Sequence, residues 1–526
     1  MRRNKKLVSV LLCLVMTVLL ATPALAAEGT YSIVIQNDAA GHTYEAYQIF
    51  AGDLSADGVL SNIVWGAGVD GEALLGALQA ADAGKYGGCT SAADVAEALG
   101  GGEQGEATAA DAEAFAKVAE NYLGTPTGSA NTPEAGQYTI GGLPAGYYLV
   151  KDRDNSLEGS QEAYTNYIVQ VVANVEIAPK SGVTTSEKKV KDINDSEGTS
   201  YTDWQDAADY DIGDRIPFQL KATLPANYST YSEYALVFHD TESAGLTFQR
   251  DSVQVFIDGH LVDEADYSIV TTGLSDGLTF EIRIDNLKAI TAAEGAQAGN
   301  NGVVTVEYES DLNENAAIGS AGNPNTMYLT FSNNPNGTGT GRTQNDTVIV
   351  FTYKVVVNKV DGENAALPGA EFTLEKKQHG ETGDTWETVQ VLGTDGTMTA
   401  FSFDGLDDGD YRLSETKTPE GYNTIAPIEF TITATHDIVS NSPALTGLEA
   451  TNARYVDAEG GTIDGLVTFT RNTEDADGLT TTVGNNSGAT LPETGGIGTT
   501  IFYVLGGILV IGAGVLLVAR RRMRDQ

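Results

Sequence analysis

The stretch GDYRLSETKTPEGY, residues 409–422, decides the fold expected for the C-terminal part of the chain. It places Glu415 inside a Tyr-x-Leu-x-Glu-Thr pattern. Two shorter segments precede it, NKVDG at 358–362 and LPGAEFTL at 367–374. Together these segments define a module that we predict over residues 353–490.

Side-chain alternation orients two polar groups of this third module. Lys359 shares a strand face with Val355 and Val357, and Asn485 shares one with Val483, because successive side chains of a strand point to opposite faces. We therefore expect the amine of Lys359 and the amide of Asn485 to point inward.

These segments resemble the collagen-adhesin B-type, or SpaA-like, module of Gram-positive surface proteins. In that family a first-strand lysine and a last-strand asparagine or aspartate form an intramolecular isopeptide bond, assisted by a buried glutamate. The resemblance implies that Lys359 is the nucleophile and Glu415 the assisting acid. It implies Asn485 as the acceptor, with Asn452 as the alternative.

Burial explains why this reaction needs these residue types. Apolar surroundings lower the pKa of a lysine, so that a neutral, nucleophilic amine exists at neutral pH. A neighbouring carboxylic acid, its own pKa raised by burial, can hydrogen-bond the amide and move a proton as ammonia leaves. Each molecule reacts once, so we expect self-maturation and no enzymatic turnover.

A second module is predicted over residues 181–352. Three of its segments resemble the isopeptide-forming domain of fimbrial backbone pilins: EKKVKD at 187–192, VFHD at 237–240 and MYLTFSNNP at 327–335. In that domain the assisting acid is an aspartate.

The residues that match this second pattern are Lys188, Asp240 and Asn333. Lys189 and Asn334 are the alternatives, because a slip of one residue moves a side chain to the opposite strand face. The second module is thus expected to carry its own Lys-Asn bond.

The first module, predicted over 27–180, includes an Ala/Glu/Leu-rich helical insert at about 72–123. Its segment GYYLVKD at 146–152 aligns with the stretch quoted first and puts Asp152 where Glu415 lies. The chain has no lysine between positions 6 and 85, so a first-strand nucleophile is absent. We predict no isopeptide bond here, and we interpret Asp152 as a surface or capping carboxylate.

The segment VEIAPK at 175–180 joins the first and second modules. It resembles the pilin motif, whose lysine a pilus-specific sortase joins to the threonine of the next subunit. Ala178 stands where the motif usually has tyrosine, and Val171 where it often has tryptophan. The resemblance implies that Lys180 is the polymerisation lysine.

The C-terminus combines a pentapeptide, an apolar run at 499–519 and a basic cluster at 520–524. An apolar run of about 20 residues can cross a bilayer as a helix, and the basic cluster holds that end in the cytoplasm. The order resembles the cell-wall sorting signal of Gram-positive surface proteins, in which a sortase cleaves after the threonine. The pentapeptide residues are Leu491, Pro492, Glu493, Thr494 and Gly495.

The N-terminus is typical of a secretory signal peptide over residues 1–26. Basic residues precede the apolar run 7–20, and Ala24-Leu25-Ala26 supplies small residues for cleavage. Processing would remove Cys13 and leave Cys89 alone, so the mature monomer cannot form an internal disulfide.

Composition excludes several classes of function. The formal net charge of −42 repels nucleic acid and anionic lipid. The five histidines stand isolated, without metal-type spacing or a recognisable nucleophile motif. We therefore predict no cofactor, no metal site and no hydrolase activity.

The sequence as a whole predicts a mainly β protein of tandem immunoglobulin-like β-sandwich domains, with the helical insert and a C-terminal transmembrane helix. It resembles a sortase-assembled Gram-positive pilin, most closely the backbone subunit, located in a pilus on the cell wall. The implied partners are pilus-class and housekeeping sortases, identical subunits, accessory pilins and peptidoglycan. An accessory pilin, or a monomeric wall-anchored adhesin that binds a host ligand, is the alternative.

Overall fold

The computed structural model describes residues 30–488, apart from 101–107, 135, 180–181, 276, 441 and 475–476, together with 505, 509–511 and 513. The described chain is mainly β, as predicted, and its sheets enclose four hydrophobic cores in succession. No described helix is long and apolar enough to cross a membrane. The predicted signal peptide and nearly all of the predicted membrane-spanning run lie outside the described residues.

The first module combines two sheets with a helical insert, and the helices confirm the Ala/Glu/Leu-rich prediction. The sheets have the strand orders β5-β1-β8 and β3-β2-β6-β7, with β4 beside β2. The elements are β1 (Tyr31–Gln36), β2 (Tyr44–Leu54), β3 (Leu60–Trp65), α1 (Gly71–Ala81), α2 (Ala83–Tyr86), α3 (Ala92–Leu99), α4 (Ala109–Ala119), β4 (Gly128–Ala130), β5 (Gln137–Leu143), β6 (Gly146–Asp152), β7 (Asn166–Val171) and β8 (Val175–Ile177).

The second module is a sandwich of two sheets around the largest core. The strand orders are β14-β13-β17-β11-β9 and β10-β20-β18-β12-β16-β15, with β19 beside β18. The strands are β9 (Thr185–Val190), β10 (Ala207–Asp209), β11 (Arg215–Thr223), β12 (Leu236–Glu242), β13 (Leu246–Ile257), β14 (His260–Leu261), β15 (Ser268–Val270), β16 (Phe280–Ile284), β17 (Val303–Leu312), β18 (Asn323–Ser332), β19 (Thr340–Arg342) and β20 (Asp346–Phe351).

The third module is also a two-sheet sandwich, with the orders β24-β21-β30-β29 and β23-β22-β25-β26-β27-β28. Its first and last strands, β21 and β30, lie side by side and run parallel. The strands are β21 (Tyr353–Asp361), β22 (Glu371–Gln378), β23 (Thr385–Leu392), β24 (Ala400–Leu406), β25 (Gly409–Lys417), β26 (Ile428–His436), β27 (Leu445–Val456), β28 (Thr462–Ile463), β29 (Phe469–Asn472) and β30 (Gly478–Asn485).

Backbone hydrogen bonds join neighbouring modules. Between the first and second, Gly159 N donates to Thr340 O at 2.7 Å and Tyr164 N to Asn333 O at 2.8 Å. Between the second and third, only Thr352 separates β20 from β21, and Ile212 N donates to a carbonyl of the third module at 3.0 Å. Both junctions therefore have contacts beyond the connecting chain.

Candidate crosslinking sites

The third module brings its predicted lysine and asparagine together. In the parallel pairing of β21 with β30, Lys359 stands opposite Val483 and Asp361 opposite Asn485. The Nζ of Lys359 donates to Oδ1 of Asn485, and it also lies 3.3 Å from the carbonyl oxygen of Val483. The amine therefore contacts the side-chain amide that it would attack.

Glu415 completes this site from the facing sheet. Its carboxylate accepts two hydrogen bonds from Nδ2 of Asn485, at 2.9 and 3.0 Å, and Oε1 lies 3.8 Å from Nζ of Lys359. The side chains of Lys359 and Glu415 are fully buried, and Asn485 is buried as well. Burial lowers the pKa of Lys359, against the opposing charge of Glu415.

Asn452, the alternative acceptor, lies elsewhere. It is on β27 with a positive φ of 53°, and its Nδ2 donates to Oγ1 of Thr431 at 3.3 Å in an exposed position. The geometry therefore favours Asn485 as the acceptor.

The second module buries Lys188 against Asp240. The Nζ of Lys188 on β9 donates to Oδ2 of Asp240 on β12 and, at 2.9 Å, to the hydroxyl of Tyr308 on β17. The Tyr308 hydroxyl lies 3.2 Å from the same Asp240 oxygen. Lys188 and Asp240 have no exposed side-chain surface, while the neighbouring Lys189 points outward to Asp206. The strand face thus agrees with Lys188 and not with Lys189.

Burial acts on both ionisable groups of this second site. It lowers the pKa of Lys188 and raises the pKa of Asp240, and in each case the charge of the partner opposes the shift. Both shifts favour the neutral amine and the neutral acid that the chemistry requires.

Asn333 does not reach this second site, so its prediction as the acceptor is wrong. In the pairing of β12 with β18, Asp240 stands opposite Met327. Asn333 lies six residues further along the chain, which corresponds to about 20 Å of extended strand. Its Nδ2 donates instead to the carbonyl oxygens of Leu157 at 3.0 Å and Glu162 at 3.1 Å in the first module.

The structure brings Asn325 to the position where Asn333 was expected. Asn325 is fully buried on β18, opposite Glu242, and its Nδ2 lies 2.9 Å from the Tyr308 hydroxyl that also contacts Lys188. Its Oδ1 has no hydrogen-bond partner among the described residues. Sequence reasoning missed Asn325, although it lies on the same strand face as Met327.

The first module has a buried histidine beside its acid. Asp152 accepts hydrogen bonds from Nδ1 of His42 at 2.8 Å and from the backbone of Thr165 at 3.0 Å. Asp152 is therefore a core residue, and its interpretation as a surface or capping carboxylate is wrong. Lys151, the lysine next to it in sequence, points the other way, to Glu120 and Asp154.

Two groups of predicted residues cannot be placed. Lys180 lies outside the described residues, and so does the whole pentapeptide 491–495. Their assignments rest on sequence.

Comparison with known proteins adds two family matches. Residues 353–442 match the SpaA prealbumin-like fold domain, and residues 485–524 match the LPXTG cell wall anchor motif. The pentapeptide 491–495 falls within the second match, and Glu415 falls within the first.

One curated relative is the trypsin-resistant surface T6 protein of Streptococcus pyogenes serotype M6. It is 25% identical over 364 residues, a match that covers 59% of this chain and 65% of the length of that relative.

Among solved structures, the T6 backbone pilin of serotype M6 Streptococcus pyogenes, described as a modular three-domain structure, superposes with a TM-score of 0.54 and 18% identity. This alignment covers 89% of this chain and 100% of that one. The full-length major pilin SpaD of Corynebacterium diphtheriae gives a TM-score of 0.47 at 18% identity and covers 88% of this chain and 99% of its own. The likeness to the T6 backbone pilin supports a shared fold.

Proposed function

We propose that this chain, a cell-wall-anchored pilin of the Gram-positive sortase-assembled class, is the repeating backbone subunit of a covalently polymerised pilus. The observation that carries the proposal is the buried contact of Lys359, Asn485 and Glu415, because it joins the first strand of the third module to its last. The anchor motif follows directly after that last strand.

The contact suits one single-turnover reaction. The neutral Nζ of Lys359 attacks Cγ of Asn485, the Nζ–Cγ bond forms and the Cγ–Nδ2 bond breaks. The leaving nitrogen departs as ammonia with a proton that Glu415 passes from Nζ. The product is a secondary amide, no oxidant is needed, and no site for turnover of an external substrate is proposed.

The same reaction is proposed for the second module, with Lys188 as nucleophile, Asp240 as acid and Asn325 as acceptor. The Tyr308 hydroxyl contacts all three side chains, at 2.9 Å from Lys188, 3.2 Å from Asp240 and 2.9 Å from Asn325. Tyr308 is thus the positioning residue of this site.

Polymerisation would use Lys180 and the pentapeptide 491–495, which lie at the two ends of the segment formed by the second and third modules. A pilus-class sortase would cleave between Thr494 and Gly495 and join the Thr494 carbonyl to the amine of Lys180 of an identical subunit. Tension would then cross only the second and third modules, which are the two with proposed crosslinks. A housekeeping sortase would attach the base to peptidoglycan, and accessory pilins would share the same anchor.

The test is polymer formation with a pilus-class sortase, compared among the wild type, Lys180→Arg and Lys117→Arg. Lys117 is a matched control because it is exposed on α4. We expect a ladder of detergent-resistant polymers from the wild type and the control, and only wall-attached monomer from Lys180→Arg. A ladder that persists in Lys180→Arg would refute the linkage, and a wild type without any ladder would favour the accessory pilin or the monomeric adhesin.

A further inference from the structure

Three aspartates from two modules meet at the junction between the second and third modules. Asp209 is the last residue of β10, while Asp407 and Asp408 form the turn between β24 and β25. Each can offer one carboxylate oxygen such that the three oxygens lie within 4.8 Å of one another. Asp192 lies beside them, since its Oδ1 is 3.4 Å from the backbone nitrogen of Asp209. We call these four residues the junction aspartates.

One lysine compensates only part of this charge. The Nζ of Lys376 lies 2.6 Å from Oδ2 of Asp211 and 3.0 Å from Oδ2 of Asp407. Within the described part of the chain, Asp192, Asp209 and Asp408 form no ion pair with lysine or arginine. The junction therefore buries more carboxyl groups than its described cationic side chains can pair with.

His436 does not supply the missing positive charge. Its Nε2 lies 4.0 Å from Oδ1 of Asp209, which is beyond hydrogen-bond distance. The same nitrogen lies 2.6 Å from the Tyr353 hydroxyl, so it already has a hydrogen-bond partner.

An unpartnered oxygen gives a second, independent indication of a ligand. Asp209 is only 2% exposed, and its Oδ2 has no hydrogen-bond partner among the described residues. A buried carboxylate oxygen without a partner is costly, because nothing replaces the water that it loses. Native proteins avoid this cost with a bound cation or a proton.

The junction aspartates share a common electrostatic state. Burial, together with mutual repulsion, raises the pKa of Asp209 and Asp407 well above the ordinary value. The same causes raise the pKa of Asp192 to about 7, and burial raises that of Asp408 to about 6.

We propose that Asp209, Asp407 and Asp408, with Asp192 beside them, bind a hard divalent cation, Ca²⁺ in the first place, at the junction between the second and third modules. The donors are all carboxylate oxygens, which Ca²⁺ prefers over nitrogen and sulfur ligands. Oxygens within 4.8 Å of one another fit around one ion, because Ca–O bonds are about 2.3–2.6 Å long. No metal site was expected from the sequence, because these ligands come from separate parts of the chain.

A cation here would link the two load-bearing modules. Asp209 and Asp192 belong to the second module, and the pair Asp407 and Asp408 belongs to the third. Bound Ca²⁺ would thus stiffen the junction in a way that neither internal crosslink can, because each crosslink lies within one module.

The test uses the mature chain, stripped with EDTA and titrated with CaCl₂ or, separately, MgCl₂. The readouts are the melting temperature and the luminescence of Tb³⁺, which Tyr353 beside Asp209 can sensitise. The variants are Asp209→Asn and Asp408→Asn. The matched control is Asp395→Asn, an exposed turn aspartate of the third module.

We expect Ca²⁺ to raise the melting temperature of the wild type and the control, and Ca²⁺ to displace Tb³⁺ from both. Loss of an outer-shell partner alone weakens metal sites roughly 10- to 100-fold, so loss of a ligand in either site variant should weaken binding at least about tenfold.

Two outcomes would overturn the proposal. One is a wild type in which neither Ca²⁺ nor Mg²⁺ changes the melting temperature or the Tb³⁺ luminescence. The other is a response of equal size in Asp209→Asn, Asp408→Asn and the control. Asp209→Asn removes repulsion in the cation-free protein, so a folded variant is expected and the comparison can be made.

Discussion

At the scale of single residues, the burial of Lys188 and Lys359 is energetically unfavourable until each lysine has reacted. A lysine with no exposed surface must either lose its proton or keep an ion pair whose desolvation cost is several kcal/mol per ion. The amide that Lys188 and Lys359 are proposed to form carries no charge, so its formation removes this cost. The burial that prepares the reaction therefore also favours its product.

The assignment of the second-module acceptor gives a residue-level prediction. We expect Asn325→Ala to remove one of the two ammonia losses from the intact mass of the mature chain, because its side-chain amide and the amine of Lys188 contact the same Tyr308 hydroxyl. Asn333→Ala is the matched control, and we expect it to retain both losses. Peptide mapping that joins Lys188 to Asn333 would contradict this assignment.

Glu415, the acid of the third-module site, gives a second residue-level prediction. Glu415→Gln should leave Lys359 and Asn485 unjoined, because no carboxyl remains to move the proton. A crosslink across a loop longer than 100 residues contributes about 5 kcal/mol in the simplest chain-entropy account, so the variant should melt at a distinctly lower temperature. Glu420→Gln, at an exposed position, serves as the control for mass and calorimetry. A full mass deficit in Glu415→Gln would rule out its role.

The crosslinking residues show which parts of the sites can be predicted from sequence and which cannot. Alternation placed Lys359 and Asn485 on inward faces correctly, because that inference needs only the period of a strand. It could not separate Asn325 from Asn333, since both lie on the same face of one extended segment. The choice depends on which residue stands opposite Asp240, and that register is set by pairing between distant strands.

At the scale of elements, the first module replaces the lysine-acid pair with a histidine-acid pair. Burial alone would lower the pKa of His42, but the hydrogen bond to Asp152 and the charges of Asp152 and Glu162 prevail and raise it from 6.5 to about 9. Between pH 6.5 and about 9 the folded module keeps a proton on His42 that the unfolded chain has released. The protonated His42 therefore stabilises the fold fully below pH 6.5, and this contribution is lost as the pH rises through about 9.

This linkage predicts that the first thermal transition of the mature chain shifts to lower temperature between pH 6.5 and 9. One pKa unit corresponds to about 1.4 kcal/mol, so the rise from 6.5 to about 9 changes the free energy of unfolding by at most about 3.5 kcal/mol. His42→Gln should lose the pH dependence, while His260→Gln, at a partly exposed site, should keep it. An equal dependence in His42→Gln would show that another group is responsible.

The helical insert, the strands of the crosslinks and the segment that joins the first and second modules could be located from sequence, but the side-chain contacts between modules could not. Composition suffices for helices rich in Ala, Glu and Leu. The interaction of Asn333 with the carbonyls of Leu157 and Glu162 joins two modules, and no local pattern encodes it. The junction aspartates were missed for the same reason, because Asp209 and Asp407 are distant in sequence.

At the scale of the whole molecule, the second and third modules have proposed covalent crosslinks, whereas the first module does not. Strands β21 and β30 are first and last in the third module, so a bond between them carries tension past the rest of the sandwich. In the second module the proposed bond joins the first strand β9 to β18, so that β19 and β20 lie outside the crosslinked loop. The first module has a buried, hydrogen-bonded His42–Asp152 pair and lies outside the proposed load path.

This difference predicts the response of one mature chain pulled between residues 27 and 494. The first module should unfold completely, and about 150 residues released at 3.3–3.6 Å each would lengthen the chain by roughly 500 Å. In the second module only the segment after Asn325, which lies outside the proposed bond, can add to this length. The double variant Asn325→Ala with Asn485→Ala should show two further extensions, because both crosslinks are absent, whereas Asn333→Ala with Asn452→Ala should behave like the wild type. Extensions in the wild type that correspond to the whole second or third module would mean that force passes through hydrogen bonds alone and that the crosslinked-shaft proposal is wrong.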